Sequence, residues 1–485
     1  MRSFEILVAV LAVVLGALMI WIPRSRRCLK IVSLSLLVFL AIQFSLEGAH
    51  WQLYPLYLAC LVLIGAVLLA PSSRRFFYWA LPVTAGLLVG ATVLFSWLFP
   101  MFRFPSPTGT EAIGTRVVHL VDTNRPENAG RSPSGKRELM IQAWYPAQQP
   151  AGFAGSLYGG HHAMYQRRKE TTWRASYRSV LKTHAFQDAV VKQAGPYPVV
   201  LYNPAWQGER TEGTFQAEEL ASHGFVVVAI DHTFFSGLVE FPDGRVADSR
   251  NAPELGSFEH ATLEEEAALG ARYVKIEAQD DIFVLNQLEA MNKDSASPFF
   301  HRLDLTRVGA LGYSVGGAVS EQAAFDDPRI RSVIDLDGWS FGELQLHGLP
   351  KPLMVIYEDK ANTIPTDAQL HSGPMAQQLY WQFSAMDYAH VLESMHQYGG
   401  WLLFVAGTNH VDFSDRSLFS PLARLTGGGT LSPKRAHAIV NAYTLAFFTQ
   451  TLKGTAQPLL EKGGNPYPEV QLQRFFWKAS SAKHP

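Results

Sequence analysis

Cysteine is nearly missing from this chain. The 485-residue sequence has two cysteines, Cys28 and Cys60, and both lie in its apolar first hundred residues. The rest of the chain therefore has no disulfide, no thiolate metal site and no cysteine nucleophile. An excess of positive charge is missing too, since the formal net charge is −1, and this argues against a nucleic-acid partner. Neither internal repeats nor low-complexity tracts appear.

Charged residues are scarce in the first hundred residues, where four apolar runs follow one another. The runs cover residues 4–22, 31–46, 53–70 and 76–98. A helix needs about 17–25 apolar residues to cross a bilayer, so three runs fit and the second is short. Because backbone groups in lipid must bond internally, all four are predicted to be membrane-spanning helices. The scarcity of ionisable residues inside them favours an anchor over a transporter.

The first run has an alternative interpretation as a cleaved signal peptide. Only Arg2 precedes it and no small-residue cleavage site follows; the charged stretch 23–27 comes instead, which favours a retained helix. Basic residues are concentrated in the first and third loops: Arg24, Arg26, Arg27, Lys30, Arg74 and Arg75. Since basic loops stay in the cytoplasm, the pattern predicts a multi-pass protein of the cell (inner) membrane with its large soluble part in the periplasm.

The soluble part begins after a linker. Residues 101–113 are rich in Pro, Gly, Ser and Thr, as linkers are. From 114 to 475, continuous apolar runs alternate with helical ones, which indicates an α/β domain whose mostly parallel sheet has helices on both faces. Residues 150–195 interrupt this pattern with a long irregular stretch that includes an amphipathic-looking segment at 176–191. Loops of that length are often functional, so we expect a cap or lid there.

The alternation gives specific boundaries. Predicted strands are 115–120, 139–145, 198–203, 225–231, 307–313, 330–337, 352–357 and 402–406. Predicted helices are 214–222, 262–291, 315–325 and 436–452.

A serine stands in the pentapeptide GYSVG at residues 312–316. The G-x-S-x-G pattern alone is a modest signal, because a glycine-rich turn with a helix-capping serine matches it too. Here it follows an apolar strand and opens a helix, which is the context of the nucleophile elbow in α/β-hydrolases. We therefore predict Ser314 as the nucleophile. The N–H of Val315, at the start of the helix, is predicted to donate to an oxyanion.

The acid and the histidine are expected after later strands, in that order. Asp337 ends the strand 330–337 directly before a turn glycine and is the predicted acid. Asp335 lies on the same face of that strand and is a candidate structural carboxylate. Glu358 and Asp359, after the next strand, are the alternative acids.

His410 follows the strand 401–406 and is the predicted general base. It would take the proton of Ser314 and return it to the leaving alcohol, while Asp337 would fix the imidazole tautomer. His390 and His396 lie in or beside a helical-looking segment, 385–395, and are expected to be packing or surface groups.

A second oxyanion donor is expected in the loop after strand 198–203. Pro204 has no N–H, which leaves the amide of Ala205 or of Trp206, and Ala205 is favoured. Some aromatic residues of these loops are candidates for the substrate pocket, although ordinary core packing would also account for them. They are Trp206, Tyr313, Trp339 and Phe341.

Several stretches resemble the plasma-type (group VII) platelet-activating factor acetylhydrolase family and its bacterial relatives. The resemblance covers roughly residues 114–450. It is carried by PVVLYNP (198–204), LASHGFVVVAIDH (220–232), GYSVGG (312–317), LDGW (336–339) and GTNHVDF (407–413). The family keeps a similar acid motif at a similar distance after its serine, which supports Asp337. Its histidine precedes a similar Asp-Phe loop, which supports His410.

The resemblance implies a calcium-independent serine hydrolase without metal or cofactor, which cleaves short or oxidised sn-2 acyl esters of phospholipids. The chain departs from the animal enzymes in having Asn203-Pro204 in place of His-Gly and Tyr313 in place of a histidine. Other activities on the same fold are alternatives: general esterase, polyester hydrolase, thioesterase or peptidase. A non-catalytic membrane sensor is a further alternative, against which the intact Ser, Asp, His order argues.

Overall fold

The structure, a computed structural model, describes most of the chain. The described residues are 1–21, 25–69, 75–130, 134–149, 155–158, 181–251, 262–424, 429–461 and 466–476. They form two compact units. The first comprises residues 1–103, 157–181 and 418–425, and the second comprises 104–156, 182–417 and 426–485.

Four long helices built from the apolar runs form most of the first unit. They are α1 (Ser3–Trp21), α2 (Arg26–Glu47), α3 (Tyr54–Leu69) and α4 (Arg75–Leu98). They give four spans that are long and apolar enough to cross a membrane, of which the third starts before α3: Ser3–Trp21, Arg26–Glu47, Trp51–Leu68 and Trp79–Leu98. The second helix begins at Arg26 rather than at residue 31, so Arg26, Arg27 and Lys30, which were predicted to lie in a loop, are part of the helix. Residues 22–24 and 70–74, which include the loop cations Arg24 and Arg74, lie outside the described residues.

Strands of the second unit form one large sheet and one small hairpin. The strands are β1 (Ala112–Pro126), β2 (Lys136–Ala147), β3 (Phe186–Gln187), β4 (Tyr197–Asn203), β5 (Val226–Asp231), β6 (Leu238–Glu240), β7 (Val246–Asp248), β8 (Leu303–Tyr313), β9 (Ile330–Leu336), β10 (Leu353–Tyr357), β11 (Gly400–Val405) and β12 (Val470–Phe475). Ten of them form a sheet in the order β12-β11-β10-β9-β8-β4-β5-β2-β1-β3, and β6 pairs with β7. All eight predicted strands are present.

The centre of the large sheet is parallel. Strands β5, β4, β8, β9, β10 and β11 pair in parallel, and β2 and β12 flank them in antiparallel orientation. Every residue of β4, β5, β10 and β11 is buried. Because neighbouring side chains of a strand point to opposite faces, burial of all of them means that both faces are covered. The predicted mostly parallel α/β fold is confirmed.

Helices of the second unit connect these strands. They are α5 (Thr214–Ser222), α6 (Leu263–Lys293), α7 (Val315–Asp326), α8 (Glu343–His347), α9 (Lys360–Thr363), α10 (Asp367–His371), α11 (Met375–Tyr398) and α12 (Pro433–Lys453). Local signals explain several ends. A capping box between Thr262 and Glu265 starts α6, and Gly454 ends α12 in the left-handed conformation. The sequence predicted only part of α11.

The amphipathic-looking segment 176–191 is not a helix over its described residues, 181–191. Phe186–Gln187 pairs with β1, and Val191 forms a bridge with Ala147 of β2. Buried residues of this segment have more exposed residues between them; the buried ones include Thr183, Ala185, Ala189 and Val191. The amphipathic-looking pattern therefore comes from side chains that alternate between the two faces at the edge of a sheet. Most of the predicted lid, at 150–154 and 159–180, lies outside the described residues.

Candidate active site

Ser314 lies in a sharp turn between β8 and α7. Its φ is +56°, a strained value for a residue with a side chain. A Cβ atom on Gly312 would lie 1.8 Å from the carbonyl oxygen of Gly316, and one on Gly316 would lie 2.1 Å from that of Asn203. Only glycine permits this approach of strand and helix. The N–H of Ser314 donates to the carbonyl oxygen of Leu336 at 2.9 Å, which ties the turn to β9.

Asp337 follows the last residue of β9 and has a φ of +58°. Its backbone N–H donates to the carbonyl oxygen of Ile356 at 2.9 Å. One carboxylate oxygen, Oδ1, accepts the backbone N–H of Glu358 at 2.8 Å. The other, Oδ2, lies 2.6 Å from Nδ1 of His410. The carboxylate is thus fixed from the neighbouring strand and is directed at the imidazole.

His410 begins a short 3-10 turn, His410–Phe413, shortly after β11. Its Nε2 lies 3.1 Å from Oγ of Ser314. Because β8, β9 and β11 run parallel, their carboxyl ends meet at one edge of the sheet. The structure therefore brings together the three side chains that the sequence predicted as nucleophile, acid and base.

The electrostatics of His410 suit a proton acceptor. Burial alone would lower the pKa of the imidazole, but the hydrogen bond that it donates to Asp337 and the negative charge of that carboxylate outweigh burial and raise the pKa above the ordinary 6.5. A carboxylate at Nδ1 selects the tautomer that carries its proton there. In that tautomer the lone pair of Nε2 points to Ser314, so this nitrogen can accept the hydroxyl proton.

The candidate structural carboxylate, Asp335, and the two alternative acids, Glu358 and Asp359, have other contacts. Asp335 is buried and its Oδ1 accepts the N–H of Gly338 at 2.9 Å. Oδ2 of Asp359 accepts the N–H of Gly407 at 2.8 Å. Glu358 bonds to the backbone of His410 and not to its ring. Asp337 is the carboxylate that bonds to the imidazole.

The two other histidines considered lie on α11, as expected for packing or surface groups. His396 is exposed, with its ring 4.9 Å from that of Phe475.

The loop after β4 differs from expectation. The N–H of Ala205 donates to the carboxylate of Glu212, so in this arrangement it is not directed at a substrate. Glu212 is buried, and burial raises its pKa to about 7, although the bond from Ala205 opposes the rise. Trp206, the alternative donor, lines the same pocket as Ser314 and Val315. The preference for Ala205 over Trp206 conflicts with this geometry.

A pocket of about 460 Å³ opens at Ser314. Predicted pocket residues Trp206, Trp339 and Phe341 line it. The ring of Trp339 lies 5.1 Å from that of Tyr380 and 4.8 Å from that of Phe383. Trp206 is stacked on Tyr273 at 5.1 Å. The pocket therefore has broad aromatic walls next to the nucleophile.

The prediction that Tyr313 lines the pocket is wrong. Its side chain is 1% exposed and the residue is not among those that line the pocket. The ring lies 4.9 Å from the imidazole of His410. Tyr313 is the last residue of β8, and it packs against the histidine instead of lining the pocket.

Sequence reasoning missed the pocket residues supplied by three helices. They are Glu266 of α6, Asn362 and Thr363 of α9, and Tyr380, Ser384 and Asp387 of α11. No local motif marks them, because their position depends on how these helices pack over the sheet. Glu358, considered only as an alternative acid, also lines the pocket.

Comparison with known proteins agrees with the fold. A family model described as platelet-activating factor acetylhydrolase, isoform II, matches residues 136–457. The platelet-activating factor acetylhydrolase of Cavia porcellus is 27% identical over 50% of this chain and 62% of its own. A probable 1-alkyl-2-acetylglycerophosphocholine esterase of Arthroderma benhamiae is 24% identical over 76% of this chain and 93% of its own. This chain thus spans less than two thirds of the guinea-pig relative's length.

A solved structure shares the architecture. The ferulic acid esterase from Streptomyces cinnamoneus superposes with a TM-score of 0.59 and 27% identity, over 76% of this chain and 98% of its own. That esterase supports an α/β-hydrolase fold for the second unit. Since the family model matches well over half of the chain, the protein belongs to the platelet-activating factor acetylhydrolase, isoform II, family of α/β-hydrolases.

Proposed function

We propose that this protein is a serine hydrolase of carboxylic esters in which Ser314 is the nucleophile, His410 the general base and Asp337 the orienting acid. The observation that carries the proposal is the continuous chain of contacts, 3.1 Å from Ser314 to His410 and 2.6 Å from His410 to Asp337. The names of the relatives, which are acetylhydrolases and esterases, support the same reaction class.

The proposed reaction has two halves. Oγ of Ser314 attacks the ester carbonyl carbon while Nε2 of His410 takes the hydroxyl proton. The tetrahedral intermediate collapses, the carbon–oxygen bond of the ester breaks, and the imidazolium gives its proton to the leaving alcohol. Water then attacks the acyl-enzyme with the same histidine as base, which releases the acid and restores Ser314.

Two backbone amides are proposed to stabilise the oxyanion. Val315 N–H stands at the start of α7, where the helix dipole favours negative charge. Trp206 N–H is proposed as the second donor in place of Ala205, because the carboxylate of Glu212 already accepts from Ala205.

Short or oxidised sn-2 acyl esters of glycerophospholipids are the proposed substrates, on the strength of family membership. A second candidate, esters of aromatic acids, is favoured by the aromatic walls of the pocket and by the ferulic acid esterase relative. Both candidates use the same triad and differ in what fills the pocket.

Purified full-length protein should be assayed on p-nitrophenyl acyl esters of increasing length, on 2-acetyl glycerophospholipid and on methyl ferulate. We expect ester hydrolysis that disappears in Ser314→Ala and persists in the matched control Ser372→Ala, an exposed serine of the same domain. Chelators should have no effect. Full activity in Ser314→Ala would rule the proposal out, and the ratio of kcat/KM between the lipid and ferulate esters would decide between the substrates.

We also propose that the four apolar helices anchor the protein in the cell membrane with the hydrolase domain in the periplasm. The helices are long and apolar enough to span, and the basic loops support this orientation. A periplasmic reporter fused after residue 103 should be active. Activity of a cytoplasmic reporter at that point would reverse the orientation.

A further inference from the structure

Glu358 has contacts to both partners of Ser314. It follows β10, which lies in the sheet between β9, the strand of the acid, and β11, the strand of the histidine. Its backbone N–H donates to Oδ1 of Asp337 at 2.8 Å. Its side-chain Oε2 accepts the backbone N–H of His410 at 2.8 Å. One residue thus bonds to the acid through its main chain and to the histidine through its side chain.

The side chain of Glu358 is held in place. It is 6% exposed, and the amide of Asn362 donates to the same Oε2 at 3.3 Å. Neighbouring Asp359 accepts the N–H of Gly407 and so fixes the start of the same loop, but it bonds neither to Asp337 nor to His410. Among the described residues, three hydrogen bonds tie the histidine loop to the end of β10, because the N–H of Asp359 also donates to the carbonyl oxygen of Thr408 at 3.4 Å. Of the three, the bond to Glu358 is the one that His410 itself makes.

We propose that Glu358 is a positioning residue that sets the imidazole of His410 relative to Asp337 and Ser314, acting as a hydrogen-bond acceptor for the backbone of His410. This inference rests on the proposed function of the three residues. The imidazole must meet two partners at once, and a small shift of a loop backbone moves both contacts. Misplacement of a reacting group by about 1 Å can cost about 10²-fold in rate.

The electrostatics agree with an acceptor that is neutral at pH 7. Burial and the negative charge of Asp337 raise the pKa of Glu358 to about 8, although His410 and Asn362 oppose the rise. The other titratable group facing it among the described residues is Tyr380 of α11. A neutral Glu358 still accepts through Oε2 and adds no second negative charge beside Asp337. Above pH 8 it becomes charged, and that charge favours the imidazolium formed in the transition state.

Three variants separate this role from a merely structural one. Glu358→Ala removes the acceptor and should lower kcat about 10²-fold with little change in KM. Glu358→Gln keeps an acceptor oxygen without a titratable group and should recover most of that loss at pH 7. Asp359→Asn is the matched control for Glu358→Gln, since it removes the carboxyl group of the neighbouring residue and keeps an acceptor for the N–H of Gly407. Melting temperatures show whether each variant is folded, and Glu358→Asp, which shortens the side chain, replaces Glu358→Ala if that variant does not fold.

The pH dependence gives the discriminating readout. The kcat/KM profiles of wild type and Glu358→Gln on a p-nitrophenyl ester should run parallel below pH 8. Above it the ratio of wild type to Glu358→Gln should rise, while the ratio of wild type to Asp359→Asn should stay constant.

Wild-type kcat in folded Glu358→Ala, equal losses in Glu358→Ala and Glu358→Gln, or an effect on KM alone would each overturn the inference. Retention of activity in Ser314→Ala would instead overturn the proposed function, so the two failures are distinguishable.

Discussion

Two places at the same edge of the sheet differ in how well the sequence predicts them. At the ends of β8, β9 and β11, the side chains of Ser314, Asp337 and His410 meet within 3.1 and 2.6 Å. At the end of β4, the N–H of Ala205 is bonded to the carboxylate of Glu212 instead of facing the pocket. The meeting of the three side chains follows from the order of the strands. The direction of the Ala205 N–H depends on the Glu212 side chain, which folds back onto the loop.

This difference separates two kinds of structural information. In a parallel sheet, strand ends share an edge, so a residue type just after a strand is already roughly placed. Whether a backbone amide is available depends on every acceptor nearby, and Glu212 lies seven residues further along the chain. Side-chain catalysts are therefore easier to predict than backbone donors.

The largest expected effect concerns the end of β9. Asp337→Asn should lower kcat about 10⁴-fold, because an asparagine stabilises the wrong tautomer of His410. Asp335→Asn is the control two residues earlier, where an amide oxygen can still accept the N–H of Gly338. Steady-state kinetics on a p-nitrophenyl ester measure both variants. A larger loss in Asp335→Asn than in Asp337→Asn would mean that the acid is misassigned.

A smaller effect is expected at the end of β4. Trp206→Pro removes the ring and the N–H, whereas Trp206→Ala removes only the ring. If the N–H of Trp206 stabilises the oxyanion, the proline variant should have a kcat about 10²–10³-fold below that of the alanine variant. Melting temperatures must first show that both are folded. Equal kcat values would mean that the N–H of Trp206 is not the second oxyanion donor. The sequence-based choice of Ala205 would then stand, and the end of β4 would be as predictable as the ends of β8, β9 and β11.

The smallest expected effect is on the pH dependence of ester hydrolysis, to which His410 in one region or Glu212 in the other could give the acid limb. Ester hydrolysis requires neutral His410, whose pKa is raised above 6.5 by Asp337. Activity should therefore be present at high pH and should fall about tenfold per unit below that pKa. In Asp337→Asn the residual activity should have its acid limb at lower pH, because the raising charge is gone. An acid limb that Asp337→Asn leaves in place would assign it to another group, such as Glu212, whose pKa is about 7.

The sequence predicted more of the fold than of the pocket, for identifiable reasons. Apolar runs and the glycines at 312 and 316 are signals carried by residues close together in the sequence. The central strands and the turn at Ser314 were therefore predictable. The burial of Tyr313 was not predictable, because it depends on packing against His410, which is distant in the sequence. Tyr380 and Asp387 reach the pocket only through the packing of α11 over the sheet. The pairing of residues 186–187 with β1 was not predicted either, because the sequence showed only an irregular stretch with an amphipathic-looking segment there.

Covalent labelling of Ser314 tests the central claim most directly. Folded full-length protein is treated with a fluorophosphonate probe, digested and mapped by mass spectrometry. The proposed triad predicts one adduct, on Ser314, which is absent from Ser314→Ala and forms far more slowly in His410→Ala. Folded wild-type protein that stays unlabelled at Ser314, or that is labelled equally fast in His410→Ala, would contradict the claim.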